Sequence, residues 1–179
     1  MISGYIAKKL KMTSIFDEKG VRVAVTKLVA APLTVTKIIN DKTIQVSYGK
    51  KHHKEFEITT ETMPKIGDII TADLVFQNND PIMITGTSKG RGFAGVIKRH
   101  GFKKQPIKNA SDRIRAPGAI GAQTPSKVVK GKKMPGHYGN KTKTILGVKI
   151  HSFSKENNEI IVFGSVPGAP NSWILLRKN

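Results

Sequence analysis

The sequence contains no cysteine, which excludes disulfides and thiolate-ligated zinc or iron–sulfur centres. It is also poor in acids. Twelve Asp+Glu face 31 Lys+Arg, leaving a net charge of +19. Self-repulsion of that size destabilises a compact state unless a polyanion answers it, so nucleic acid is the leading partner, ahead of an anionic membrane surface. No apolar run reaches the roughly 18 residues needed to cross a bilayer, and the N-terminal stretch lacks the charged-then-apolar order of a signal peptide. A chain without membrane span or targeting segment is expected. Histidine offers little: His52 and His53 are adjacent, so on a strand they face opposite sides and cannot chelate together. No metal is expected.

What is present begins with short alternating runs. Val21, Val23 and Val25 alternate with Arg22, Ala24 and Thr26; Leu33, Val35 and Lys37 alternate with Thr34 and Thr36. Ile44, Val46 and Tyr48 follow, and Glu55 and Glu57 share the face opposite Phe56 and Ile58. Such two-residue periods predict half-buried strands. Further strands are predicted over 69–76, 144–153, 159–165 and 173–176, with turns at Asn40-Asp41 and Asn78-Asn79-Asp80-Pro81. Met12 and Met63 read as core residues. Many short strands joined by turns predict a mainly β fold, a small barrel or sandwich.

Residues 86–143 differ in character. They hold 15 of the 31 basic residues, one acid (Asp112) and ten of the 17 glycines. No apolar period of either kind persists over 103–117. A solvated, disordered charge run is the bland reading. Phe93, Val96, Ile97, Phe102, Ile120, Val128, Val129 and Tyr138 are interspersed, however, which favours a segment that becomes ordered when a polyanion surrounds it. Glycine lets backbone amides approach an anion closely, and Lys or Arg neutralises phosphate.

Two enzyme motifs overlap at Gly90. "GRGFAG" spells G-x-G-x-x-G, and "GTSKG" spells G-x-S-x-G with Ser88 as nucleophile. The dinucleotide reading needs a crossover helix and a second strand, but the helical stretch 93–100 stops at Gly101. The hydrolase reading needs a helix directly after the serine, where "KGRG" stands instead, and Asp112 is the only acid between Ser88 and the downstream His137 and His151. Neither motif survives its context. Neither an RRM-type aromatic pattern nor a recognition-helix module occurs, which points to structured RNA read by shape.

At these residues the chain resembles the family of large-subunit ribosomal protein three, in its bacterial-type form. The blocks are "GYIAKKLKMTSIF" (4–16), "ITGTSKGRGFAGVIKRHGF" (84–102), "APGAIGAQTPSKVVKGKKMPGHYGN" (116–140) and "VFGSVPGAP" (162–170). The resemblance implies one domain over 1–179: a translation-protein-type β-barrel from 1–85 and 144–179, with a long basic, glycine-rich extension, 86–143, inserted between strands. It implies a non-enzymatic structural constituent of the large ribosomal subunit, organising 23S-type rRNA near the peptidyl-transferase region among neighbouring ribosomal proteins. No cofactor, small-molecule substrate, membrane or homo-oligomer is implied, and the location is the ribosome of the cytoplasm or of an organelle.

The candidate rRNA contacts are Lys8 and Lys9 in the first block, then Lys89, Arg91, Gly92, Lys98, Arg99, Lys103, Lys104, Arg113, Arg115, Lys127, Lys130, Lys132, Lys133 and Lys141. Gln123, before Thr124-Pro125, matches a glutamine that some bacterial members carry methylated. Departures from the family pattern are Ala7, Lys11 and Ser126 where glycine is usual, a shortened stretch between Tyr48 and Ile66, and a segment "GAIGAQTP" one residue short. The tip, 105–115, matches least: Asn109-Ala110 and Asp112-Arg113 stand where histidine-containing pairs are frequent.

Overall fold

The computed structural model describes residues 2–17, 19–49, 52–58, 64–109, 112–154 and 157–178. The chain divides into two compact units: Met1–Ser88 with Thr142–Asn179, and Lys89–Lys141. In chain order the strands are β1 (Gly4–Phe16), β2 (Arg22–Val29), β3 (Leu33–Asn40), β4 (Thr43–Tyr48), β5 (His52–Glu57) and β6 (Ile69–Ile70). A single helical turn α1 (Ala72–Val75) precedes β7 (Pro81–Thr87), β8 (Phe93–Ala94), helix α2 (Val96–His100) and β9 (Gly136–His137). β10 (Thr142–Ser154), β11 (Glu159–Phe163) and β12 (Trp173–Lys178) complete a mainly β chain.

In the first unit six antiparallel strands pair in the cyclic order β1-β12-β7-β10-β11-β2 and close on themselves as a barrel. A four-stranded sheet, β5-β4-β3-β6, shares its core. The period-two rule explains which side chains are buried: Ile82 and Ile84 of β7, Ile160 and Val162 of β11, Ile174 and Leu176 of β12. They form one cluster with Leu33, Val35, Ile44, Val46 and Phe56 of the second sheet. Each such side chain contributes about 1.5–3 kcal/mol by leaving water.

Bulges bend the ring's long strands. Between Lys9 and Met12 β1 advances three residues while β2 advances two, from Leu28 to Thr26. β10 does the same against β7 between Ile145 and Val148, where Gly147 takes φ +71°. An extra residue on one strand bends it and increases its twist, as closing a sheet of few strands requires. Lys11 lies in the first bulge outside the left-handed region, so lysine replaces glycine there without backbone strain. Ala7 is fully buried.

Three sequence expectations are corrected. The strand over 69–76 lasts only through Ile70, because Ala72, Val75 and Phe76 are buried at i, i+3, i+4, the spacing of a helical turn. Lys37 does not continue the face of Val35. A bulge between them lets Ile38 pack against the core and leaves Lys37 exposed. Met12 is 47% exposed, standing at the end of the β1 bulge rather than in the core. Met63 and Ala110 lie outside the described residues.

Candidate nucleic-acid interface

The unit Lys89–Lys141 carries fourteen lysines and arginines and the single acid Asp112. Its two ends are clamped by a short ladder. Phe93 pairs with His137 and Ala94 with Gly136. The Arg91 amide donates to Tyr138 O at 2.8 Å, and the Tyr138 amide to Gly92 O at 2.9 Å. Gly92 sits at φ +62°, a conformation most side chains resist, so this turn itself asks for glycine. Gly95 differs: its φ is ordinary, and an added Cβ would find no neighbour within 4 Å.

Helix α2 follows and ends at Gly101, whose φ of 72° and amide bond to Ile97 O (2.9 Å) cap it. Its last turn holds Lys98, Arg99 and His100, where cations complement the helix C-terminus. Arg99 Nη1 donates to Met134 O at 2.7 Å, and His100 Nε2 lies 3.0 Å from the same oxygen. Gly136 makes room for this arrangement, since a Cβ there would stand 2.7 Å from Arg99 Nη1. The helix is thereby tied to the end of "KVVKGKKM".

Lys89, Arg91, Lys98, Lys103, Lys104, Arg113, Arg115, Lys127, Lys130, Lys132, Lys133 and Lys141 are all exposed, and Arg99 is half-buried. Gln123 is exposed too, with its backbone carbonyl accepting both the amide (2.7 Å) and the hydroxyl (2.8 Å) of Ser126. Ser126 holds φ 55°, which accounts for the frequency of glycine at that place. Lys8 is half-buried on β1. Lys9 is 8% exposed, and its amine donates to Val166 O (2.5 Å) and Gly168 O (3.1 Å). Strand alternation turns Lys8 and Lys9 to opposite faces, so they could not both reach one RNA surface. Lys108 and Lys143, exposed and omitted from the candidate set, carried the same charge signal as those included.

Only Ala94 and Val96 are buried hydrophobics among the described residues of this unit. Fixing a residue's backbone costs about 1–2 kcal/mol, so two small side chains cannot offset the ordering of such a segment. The enzyme motifs fail in space as in sequence. Ser88 follows β7, but the next helix begins only at Val96, and the sheets of both units are antiparallel throughout. No group of three or more His, Cys, Asp or Glu could hold a metal among the described residues.

A β-barrel protein with an exposed, cationic, glycine-rich segment and almost no core among that segment's described residues has the make-up of a polyanion-binding scaffold. The particular family follows from comparison. The family profile "Ribosomal protein L3" matches residues 10–164. The large ribosomal subunit protein uL3 of Syntrophobacter fumaroxidans is 36% identical over 206 residues, covering 99% of this chain and 98% of that protein. That of Citrifermentans bemidjiense is 38% identical over 205 residues, with 99% and 97% covered. The large ribosomal subunit protein uL3c of Phaeodactylum tricornutum is 36% identical over 202 residues, with 97% of each covered. The chain belongs to the ribosomal protein L3 family. It is a ribosomal protein and not an enzyme, so "GTSKG" and "GRGFAG" are not catalytic motifs.

Proposed function

We infer that the protein is a structural constituent of the large ribosomal subunit that binds and organises 23S-type rRNA near the peptidyl-transferase region. In this reading the first unit is a translation-protein-type barrel and residues 86–143 are its extension, the two forming one functional domain that works as a single copy among neighbouring ribosomal proteins. The observation that carries it is the contrast within Lys89–Lys141: fourteen cations, one acid and, among the described residues, two buried hydrophobics. Such a segment gains its order from an anionic partner that neutralises the charge and fills the space around it. Gly95, the N-cap of α2 with open space where a Cβ would stand, is then a point of close backbone approach by RNA. The contact set is the candidate list without Lys9, and the exposed Gln123 is the position for methylation.

The test is the salt dependence of binding to a large-subunit rRNA fragment. Affinity falls with salt on a log–log slope of roughly −0.7 to −0.9 per neutralised phosphate. Replacing Lys130, Lys132 and Lys133 with alanine should flatten that slope by about two to three units. An unchanged slope would mean that these lysines face solvent in the complex.

A further inference from the structure

Trp173, the single tryptophan, opens β12 and remains 39% exposed while its neighbour Ile174 is buried. The fold gathers two more rings beside it from the β4–β5 hairpin. Tyr48 meets the indole edge-on, with centroids 4.9 Å apart and planes at 73°. His52 lies 6.3 Å from the indole and stacks on Tyr48 at 5.5 Å and 22°. Lys8 stands directly opposite Trp173 across the β1–β12 pair, and opposed residues share one face of a sheet. Lys54 and Thr87 line the same cleft, a space of about 220 Å³ bounded by Tyr48 and Trp173.

Packing accounts for Tyr48, which lies half-buried against the core. It does not account for a tryptophan that stays 39% exposed with Lys8 opposite it across the sheet and Lys54 lining the same cleft. Aromatic faces set beside lysines hold unpaired nucleic acid: the rings take base faces, and the cations take phosphates. We propose that Trp173 and Tyr48 form a stacking site for one unpaired RNA base, with Lys8 and Lys54 neutralising the phosphates beside it. The proposal rests on the RNA-binding reading above, but it places a separate contact on the barrel-containing unit, away from the cationic segment in sequence.

Because the chain has one tryptophan, its emission reports this site directly. The full-length protein is titrated with a short oligouridine and with an abasic oligonucleotide of the same length and charge. Quenching by the oligouridine, and little by the abasic strand, is expected. Measured by anisotropy of end-labelled strands, because both variants lack the fluorophore, Trp173→Ala should weaken oligouridine binding about ten-fold, within the range measured for single stacked bases, and Trp173→Phe should retain most of the affinity. The abasic strand should bind all three proteins alike. Oligouridine binding with unchanged emission, and equal affinity in both variants, overturns the stacking site and leaves the RNA reading intact. If the protein binds neither strand nor rRNA, the RNA reading itself falls. Emission that responds to added large-subunit proteins but not to RNA also overturns the proposal, making the cluster a protein contact.

Discussion

Replacing Lys9 by methionine separates a structural lysine from the RNA-facing ones around it. The substitution keeps an unbranched stem of similar length and removes the ammonium. In the folded chain that ammonium bonds Val166 O at 2.5 Å and Gly168 O at 3.1 Å, both buried residues of the connection between β11 and β12. Backbone bonds from the Lys9 amide to Ser172 O (2.9 Å) and from the Asn171 amide to Lys9 O (2.7 Å) hold the same junction. A hydrogen bond from a charged donor contributes about 1.5–3 kcal/mol net, and a buried acceptor stripped of its partner costs about 1–3 kcal/mol. The variant also avoids desolvating a cation, which returns part of that loss. A net destabilisation of about 2–4 kcal/mol follows, or on the order of 5–15 °C in Tm for a chain of this length. The assay is thermal melting of the free protein, paired with the salt slope of rRNA binding measured where both proteins are folded. Lys9→Met should melt early with its slope unchanged. Lys8→Met should keep its Tm and flatten the slope by nearly one unit. A Lys9→Met protein that melts like the wild type but loses a unit of slope would refute the reasoning, placing the Lys9 amine on phosphate.

Two further variants carry expected outcomes. Burial, and secondarily the Asp73 carboxylate, hold the Tyr5 phenol above the ordinary value of 10.0, so the folded state favours the neutral form. That contribution is complete below pH 10 and is lost as pH rises beyond it, so melting curves between about pH 8 and 11 should fall more steeply for the wild type than for Tyr5→Phe. Parallel curves would refute this. Tyr5→Phe should also lose about 1 kcal/mol at pH 8, since the hydroxyl donates to Ala31 O at 2.7 Å. Replacing residues 103–117 by a short Gly/Ser link removes five cations and Asp112 but no residue that the described structure buries. Loop-closure entropy changes by only about 0.6 kcal/mol per doubling of length, so the Tm should stay within about 2 °C. Purified subunits carrying the shortened protein should nonetheless form peptide bonds poorly; a collapsed Tm would instead assign the loop to the core.

Local pattern alone determined the strands whose side chains alternate without interruption, β4 above all, because a two-residue period is a property of neighbouring residues. Composition likewise marked out 86–143, since charge and glycine content need no fold to be counted, and the motif blocks around Gly90 carried the family. The tertiary structure decided what depends on partners distant in the chain. Ala72, Val75 and Phe76 form a helical turn after an edge strand that pairs for only two residues, and Lys37 yields its inward place to Ile38 at a bulge set by pairing with β4. Lys9 is interior because carbonyls more than 150 positions away close over it. Tyr48, His52 and Trp173 carry no shared signal in sequence; only β12 lying beside β1, with the β4–β5 hairpin reaching the start of β12, brings the three rings and Lys8 together.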